Sequence, residues 1–262
     1  MSRRAHTRAV TLLLLGVGLL VPSAAWALTG AQQTSGGGGL GGSGQSTPTP
    51  SSGTTTTGVQ PGNATVQASG NGITVTTHAS AMLRNQLSFS GHVASSAAGQ
   101  IVEIERRGRQ TGWTWRPTTH GSVGSGGSFS AVWPANHIGR FSIRAVVAPR
   151  TAAISRAAPA SPTLTVTVYR PAIATQYGPG FYGSRTACGQ ILRKGTLGVA
   201  NRTLKCGTPV AILWHGRTIV VPVIDRGPYA NHADWDLTEA TGRALGLAGT
   251  ATIGAVSVPS HG

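Results

Sequence analysis

The chain has 262 residues, enough for two domains of about 100 residues, each with its own core. Its net charge is +15, from 21 Lys and Arg against only 6 Asp and Glu, and the arginines are scattered instead of forming a stripe. No apolar run reaches the ~20 residues that a membrane-spanning helix needs, so no transmembrane segment is expected.

The first 27 residues have the pattern of a secretory signal peptide. Three arginines within the first eight residues precede an apolar run over 10–21, which leads to Ala25-Trp26-Ala27, a cleavage site of the A-x-A type. We therefore expect residues 1–27 to be removed and the protein to be secreted. Outside the cytoplasm, positive charge favours anionic wall polymers and membrane head groups over nucleic acid. General solubility and a high-G+C genome are the alternative explanation for an arginine-rich composition.

Residues 28–63 read as a flexible linker. They consist mainly of Gly, Ser, Thr, Pro and Gln, and none of them is charged. No Gly-Lys-Ser/Thr sequence follows the glycines, so this stretch is not a phosphate-binding loop.

Residues 64–168 carry short runs of alternating apolar residues, such as Ile73-Thr74-Val75 and Phe141-Ser142-Ile143, separated by glycine-rich breaks. This pattern predicts seven or eight strands. It resembles the immunoglobulin-like modules of exported bacterial proteins, which implies a β-sandwich. We expect this domain to serve spacing and binding.

Two pairs of side chains in this region allow more than one interpretation. Glu103 and Glu105 share one strand face, where paired acids can do acid/base work, but three arginines follow directly and favour a solvated, charge-balanced face. Trp113 and Trp115 also share a face, which suits either stacking on sugars or packing between sheets.

Five sequence blocks mark residues 170–258. They are Ala174-Thr-Gln-Tyr-Gly-Pro-Gly-Phe-Tyr-Gly183, Thr186-Ala-Cys-Gly-Gln190, Leu204-Lys-Cys-Gly-Thr208, Val223-Ile-Asp-Arg-Gly-Pro-Tyr229 and Trp235-Asp-Leu-Thr238. In order and spacing these blocks resemble the rare lipoprotein A family, a relative of the expansins. The resemblance implies a six-stranded double-psi β-barrel with a short helix, so the whole chain is expected to be all-β. It also implies cleavage of peptidoglycan glycan strands by lytic transglycosylation, with no cofactor.

Asp225 is the predicted catalytic acid/base. A lytic transglycosylase can work with one carboxyl group, because the 6-hydroxyl of the sugar is the nucleophile and the spent acid then serves as its base. Asp225 follows the apolar strand 219–224 at a Gly-Pro turn, so its side chain can project from a rigid edge. The alternative is that Asp225 only hydrogen-bonds the turn.

Asp236 is the second predicted catalytic position. It lies eleven residues after Asp225, a spacing similar to that of the two acidic positions in the expansin relatives. The competing interpretation makes Asp236 the N-cap of a short helix that ends at Gly246, with Glu239 completing a capping box.

Two departures from the family pattern keep a second function open. Gln190 stands where active relatives have a glutamate, and Asn201 stands where they have a histidine, and neither side chain can exchange a proton. Both can still bind sugar hydroxyls. The protein is therefore either a lytic transglycosylase or a non-catalytic, expansin-like wall-binding module.

Aromatic residues in the same blocks are candidates for substrate binding. Sugar rings stack on aromatic faces, although a hydrophobic cluster under the loops explains the same residues. The predicted substrate-binding residues are Tyr177, Gln190, Asn201, Arg226, Tyr229 and Trp235.

The two cysteines, Cys188 and Cys206, are predicted to form a disulfide, because they lie 18 positions apart in an exported domain. This bond would tie two of the family blocks together. No metal site is expected: His232, Asp234 and Asp236 alternate along the chain, but three such residues without further ligands favour a solvated loop. The expected partner is peptidoglycan, with anionic wall polymers as further ligands, and the expected state is a monomer. Recognition of a protein partner is a third possibility that no residue singles out.

Overall fold

The computed structural model describes residues 58–148, 158–230 and 232–258. The predicted signal peptide and most of the predicted linker lie outside the described residues. Within the described residues, no helix has both the length and the apolar character needed to cross a membrane.

The first part of the described chain is built from short strands and two single-turn 3-10 helices. The strands are β1 (Gln60–Pro61), β2 (Thr65–Gly70), β3 (Ile73–His78), β4 (Ser80–Met82), β5 (Leu87–His92), β6 (Ile101–Arg107), β7 (Arg116–Ser122), β8 (Ser128–Trp133) and β9 (Gly139–Ala148), and the 3-10 helices are Ser95–Ala97 and Arg109–Thr111. The second part consists of six strands and one helix, which are β10 (Leu164–Tyr177), β11 (Val199–Ala200), β12 (Pro209–Trp214), β13 (Arg217–Asp225), β14 (Trp235–Thr238), α1 (Glu239–Leu245) and β15 (Ala251–Ser257).

Two sheets pack against each other in the first part. One has the order β2-β3-β5-β8, and the other contains β7, β6, β9, the first half of β10 and the short β4. Alternation along the strands creates the shared core: in β5, for example, Leu87 and Phe89 are buried while Ser88 and Ser90 are exposed. Trp133 and Phe141 meet edge to face at 5.9 Å in this core. The immunoglobulin-like classification of residues 64–168 stays a prediction.

Charged and aromatic side chains cover part of the second sheet of the sandwich. Glu105 forms an ion pair of 2.7 Å with Arg144. The guanidinium of Arg144 also lies 4.3 Å from the ring centre of Trp115, and that of Arg107 lies 4.8 Å from it. The carboxylate and the indole are thus engaged by neighbouring arginines.

Strand β10 runs through both parts of the structure. Residues 164–168 pair with β9, residues 170–174 pair with β15, and residues 174–177 pair with β14. The predicted domain boundary between 168 and 170 therefore lies inside one continuous strand.

The second part is a closed barrel of six strands. The order is β14-β11-β13-β12-β15-β10, and pairing of β10 with β14 closes the ring. Two of the pairings, β10 with β14 and β11 with β13, are parallel. Inward-facing aliphatic side chains such as Val210, Ile219, Leu237 and Ile253 fill the interior. The predicted all-β fold, with a six-stranded barrel and a short helix, is confirmed.

Helix α1 begins two residues later than the capping box predicted. Its N-cap is Thr238, whose hydroxyl accepts a hydrogen bond from the Thr241 N–H. The prediction of Asp236 as N-cap is wrong, because Asp236 is held in strand β14 by pairing with β10 and β11. The predicted end of the helix is confirmed: Gly246 has a φ of 74°, which favours glycine.

The end of the predicted linker needs a correction. Gln60 and Pro61 form strand β1, which pairs with Thr218 and Arg217 of β13. Val59 packs against the barrel core. Residues 59–61 therefore lie against the barrel, although the sequence assigns them to the predicted linker 28–63.

Candidate functional site

The two predicted catalytic carboxylates lie in one row across the barrel wall. Asp225 of β13 pairs with Ala200 of β11, Ala200 pairs with Asp236 of β14, and Asp236 pairs with Thr175 of β10. Neighbouring strands are about 4.8 Å apart, so two strand spacings, or about 10 Å, separate the Cα atoms of the two aspartates. Both side chains are half-buried. The fold thus brings together residues that the sequence separates by eleven positions.

A β-bulge precedes Asp225. Val199 pairs with Val223 and Ala200 pairs with Asp225, which leaves Ile224 as the extra residue of β13. The Ile224 side chain is buried against Gly198, where an added Cβ would lie 2.5 Å from it. A glycine at 198 therefore lets the bulge form, and the bulge sets the direction of the next side chain, Asp225.

Two backbone amides hold the carboxylate of Asp225. Its Oδ1 accepts hydrogen bonds from the Ala187 N–H at 2.9 Å and the Arg226 N–H at 2.8 Å. No hydrogen bond from the described residues to Oδ2 is present. Asp225 is thus oriented through one oxygen, while the other is left for a ligand.

Asp236 has a different environment. Burial raises the pKa of its carboxyl group, the nearby charge of Asp225 raises it further, and a hydrogen bond of 2.8 Å from the Thr175 hydroxyl to Oδ1 acts in the opposite direction. The first effect is the largest. A carboxyl group with a raised pKa retains a proton to higher pH, which is what a general acid requires.

Tyr177 completes the cluster. Burial raises the pKa of its phenol well above the ordinary value, and the charges of Asp225 and Asp236 add to that increase. Its hydroxyl oxygen is buried and forms no hydrogen bond within the described residues, as is also true of Thr186, next to Ala187. Tyr177 therefore adds a buried hydroxyl group, unpaired among the described residues, next to both carboxylates.

Asn201 and Gln190 occupy contrasting positions. Oδ1 of Asn201 accepts hydrogen bonds from the backbone of Thr203 and of Leu204, at 3.1 and 2.9 Å, so it shapes its own loop. Gln190 is exposed, and its backbone carbonyl accepts a hydrogen bond from the Thr186 N–H, which closes a turn. Asn201 is thus a structural residue of the site, whereas the Gln190 amide faces solvent.

Two arginines brace the loops around Asp225. Nη1 of Arg226 donates to the carbonyl of Asn201 at 3.2 Å, and its Nη2 lies 3.4 Å from Sγ of Cys206. Arg202 donates to the carbonyls of Pro228 and Ala233, at 2.7 and 2.9 Å. Arg226 was predicted to bind substrate, but its guanidinium bonds mainly to the protein. The sequence did not predict a role for Arg202, because only the fold shows which backbone carbonyls its guanidinium donates to.

The predicted aromatic residues separate into buried and exposed ones. Trp235 is 6% exposed and belongs to the barrel core, so its ring cannot stack on a sugar and it is not retained in the binding set. Tyr229 is 81% exposed. Tyr177 packs edge to face with Phe181 at 6.3 Å, and the Tyr182 hydroxyl hydrogen-bonds Glu239.

The predicted disulfide is confirmed. Cys188 and Cys206 are bonded, with Cα atoms 5.6 Å apart. The bond joins the turn that contributes the Ala187 amide to the loop that Asn201 shapes. Among the described residues, no group of three or more His, Cys, Asp or Glu side chains is placed to hold a metal ion.

Comparison with known proteins adds to this geometry. A family profile described as "Lytic transglycolase" matches residues 173–258, which cover the barrel. The barrel belongs to the RlpA-like double-psi β-barrel family. This match confirms the resemblance found in the five sequence blocks.

The RlpA-like barrel is similar to curated bacterial proteins. A probable endolytic peptidoglycan transglycosylase RlpA from Synechocystis sp. is 36% identical over 104 residues, which are 39% of this chain and 32% of the relative. An endolytic peptidoglycan transglycosylase RlpA from Campylobacter jejuni is 33% identical over 82 residues, 30% of each protein. The chain thus spans about a third of the length of these relatives.

A solved structure is also similar in sequence to this chain. The Streptomyces papain inhibitor is 27% identical and covers 34% of this chain and 93% of its own, with a TM-score of 0.28.

Proposed function

We propose that this protein is a secreted lytic transglycosylase that cleaves the glycan strands of peptidoglycan. The observation that carries the proposal is the row of Asp225 and Asp236 on the barrel wall, with Tyr177 beside both. Membership of the RlpA-like family supports the substrate, because the relatives are peptidoglycan transglycosylases by name.

The two carboxyl groups take different roles. The sequence alone assigned the proton to Asp225, but burial raises the pKa of Asp236, which favours Asp236 as the proton donor. Asp225, oriented by two backbone amides, is the carboxylate that stabilises positive charge on the sugar as the glycosidic bond breaks.

The reaction needs no water and no cofactor. Asp236 gives its proton to the glycosidic oxygen, and the bond between that oxygen and the anomeric carbon breaks. The 6-hydroxyl oxygen of the same sugar then bonds to the anomeric carbon, and its proton passes to Asp236. One anhydro-ended strand and one strand with a new free hydroxyl are formed, and the carboxyl group is regenerated.

Mass spectrometry of soluble products tests this assignment. The secreted chain is incubated with purified peptidoglycan and with peptide-free glycan strands, beside Asp225→Asn, Asp236→Asn and the matched control Glu103→Gln on the sandwich. We expect anhydro-ended fragments from the wild type and the control and at least a 100-fold loss in each aspartate variant. Unchanged cleavage by both aspartate variants would refute the proposed site.

A second candidate function follows from Asn201 and Gln190. Asn201 is used to shape a loop and Gln190 faces solvent, so neither replaces the proton-exchanging residue of the active relatives. The barrel would then hold glycan without cutting it. A wild-type protein that sediments with peptidoglycan yet releases no anhydro-ended fragment from either substrate would establish this function.

Secretion is part of the proposal. The signal-peptide pattern of residues 1–27 motivates it, and the disulfide suits an oxidising compartment. Fractionation of the producing cells should recover a chain that starts near Leu28 outside the cytoplasm. A full-length chain retained in the cytoplasm would contradict it.

A further inference from the structure

A cleft of about 1090 Å³ lies between the sandwich and the barrel, apart from the carboxylate row. The sandwich contributes Arg109, Trp113 and Arg140, and the barrel contributes Lys205, Cys206 and Thr208. This volume slightly exceeds the roughly 300–1,000 Å³ that small-molecule sites occupy in proteins.

The charge of the cleft has one sign. Arg109, Arg140 and Lys205 line it, and no Asp or Glu does. The side chains of Arg109 and Lys205 take part in no ion pair among the described residues, and both residues are exposed. A cleft with several unpaired cations and no carboxylate is complementary to an anionic ligand.

Trp113 gives the cleft an aromatic wall. Its side chain is 58% exposed, and its backbone has a φ of 60°, a conformation that a bulky residue adopts at a cost. Such local strain persists where the surroundings impose it, often at ligand sites. An exposed ring held in this way is suited to stacking on a sugar.

The loop that carries Trp113 is held in place. The Trp113 N–H donates to the carbonyl of Gly108 at 3.0 Å, and the Thr111 hydroxyl donates to the same carbonyl at 3.0 Å. The amide of Gln110 donates to the carbonyl of Ile138 at 2.7 Å. Because the loop is ordered before a ligand binds, little conformational entropy is lost on binding.

The cleft adjoins the strand that ends at Asp225. The Val223 N–H donates to the carbonyl of Thr208 at 2.9 Å, and the Gly207 N–H donates to the carbonyl of Val223 at 2.8 Å. Val223 is two residues before Asp225, which is about 7 Å along a strand. The 201–208 loop therefore borders both the carboxylate row and the cleft.

We propose that this cleft is a second binding site for peptidoglycan, in which Trp113 stacks on a sugar ring while Arg109, Arg140 and Lys205 bind the carboxylates of its stem peptides. Rings and carboxylates occur together in peptidoglycan, whereas a polyol phosphate chain has no ring for Trp113. The inference takes only the choice of polymer from the proposed function and does not require cleavage.

Binding measurements with three soluble probes test the site in the full secreted chain. The probes are glycan strands with stem peptides, strands stripped of peptides, and polyglycerol phosphate. We expect Trp113→Gly to weaken binding to both kinds of strand about five-fold, with Trp113→Tyr restoring most of it. Glycine accepts a φ of 60°, so Trp113→Gly should fold and melt at or above the wild-type temperature.

A charge-matched pair of double variants tests the cations. Arg109→Gln with Lys205→Gln should remove the preference for strands that keep their peptides, while Arg116→Gln with Lys194→Gln, which removes the same charge elsewhere, should not. Equal losses in both pairs would reduce the effect to general charge attraction and overturn the site. Equal affinity of wild type for polyglycerol phosphate, lost in the same variants, would overturn the choice of ligand.

The outcome is separable from that of the proposed function. Asp236→Asn should abolish cleavage and leave binding in the cleft intact. If wild type releases no anhydro-ended fragments but Trp113→Gly still weakens binding, the proposed function fails and the cleft stands. If cleavage is found but the cleft variants bind like wild type, the cleft proposal fails and the proposed function stands.

Discussion

The Thr175 hydroxyl donates a hydrogen bond of 2.8 Å to Oδ1 of Asp236, across the paired strands β10 and β14. This bond lowers the pKa of Asp236, whereas burial, the larger effect, and the charge of Asp225 raise it. The protonation of the proposed acid thus depends on one hydroxyl group that can be removed without changing the charge of the site.

Replacing Thr175 with valine should shift the pH dependence of cleavage. Without the hydrogen bond, the pKa of Asp236 rises further, so the acid stays protonated to higher pH. We expect the alkaline limb of the kcat profile to move to higher pH in Thr175→Val and to stay in place in Thr175→Ser, which keeps the hydroxyl. A shift in the opposite direction would exclude Asp236 as the proton donor.

Replacing Asp236 with asparagine should stabilise the protein at neutral pH while abolishing cleavage. Burial raises the pKa of Asp236 in the folded protein above its value in the unfolded chain. At pH values between these two pKa values, the folded protein therefore binds more protons than the unfolded chain. The free energy of unfolding therefore falls as the pH rises through the unfolded and then the folded pKa of Asp236. Asparagine does not ionise, so the Asp236→Asn variant does not lose this stability as the pH rises.

Urea unfolding at two pH values measures the difference. At pH 7 the midpoint of Asp236→Asn should exceed that of wild type, and at about pH 3, where the carboxyl group is protonated in both states, the gap should narrow. A variant that is less stable at pH 7 would show that the carboxylate supports the fold.

Gly198→Ala should destabilise the barrel by about 1–3 kcal/mol and reduce activity, since the new Cβ would overpack the site. That Cβ would lie 2.5 Å from the buried Ile224 side chain, next to Asp225. The control is Gly195→Ala, where an added Cβ meets no atom within 4 Å. Chemical denaturation gives the stabilities, and equal values for the two variants would disprove the packing argument.

Removing the disulfide should cost about 3 kcal/mol, because the cysteines are 18 positions apart and the bond restricts the unfolded chain. The double variant Cys188→Ser with Cys206→Ser should lower the denaturant midpoint, and a reductant should lower the wild type to the same value. The double variant itself should not respond to reductant. Activity should fall as well, because the bond anchors the turn that contributes the Ala187 amide to Asp225.

Much of the candidate site follows from local sequence. The order and spacing of the five blocks indicate the barrel family, and the apolar run before Asp225 places that residue at the end of a strand. The two cysteines of an exported domain indicate their own pairing. Each of these conclusions depends on residues close together in the chain or on a family pattern, and tertiary structure confirmed the barrel and the disulfide.

Other features depended on contacts between distant segments. Asp236 and the next two residues read as the start of a helix, yet pairing with β10 and β11 holds Asp236 in a strand, because ladder bonds outweigh a local capping preference. The sequence left Trp235 open to stacking on a sugar or to packing in a hydrophobic cluster, and strand alternation places its side chain in the core.

The sequence by itself determined the fold class and the family of the barrel, and it predicted Asp225 and Asp236 as the candidate carboxylates, because these conclusions depend on local patterns. Only the tertiary structure showed that the pKa of Asp236 is raised by burial and lowered by a hydrogen bond from Thr175, 61 residues away, because both effects need contacts between distant segments. It also brought Trp113 and Lys205 to one cleft, because strand β10 joins the sandwich directly to the barrel.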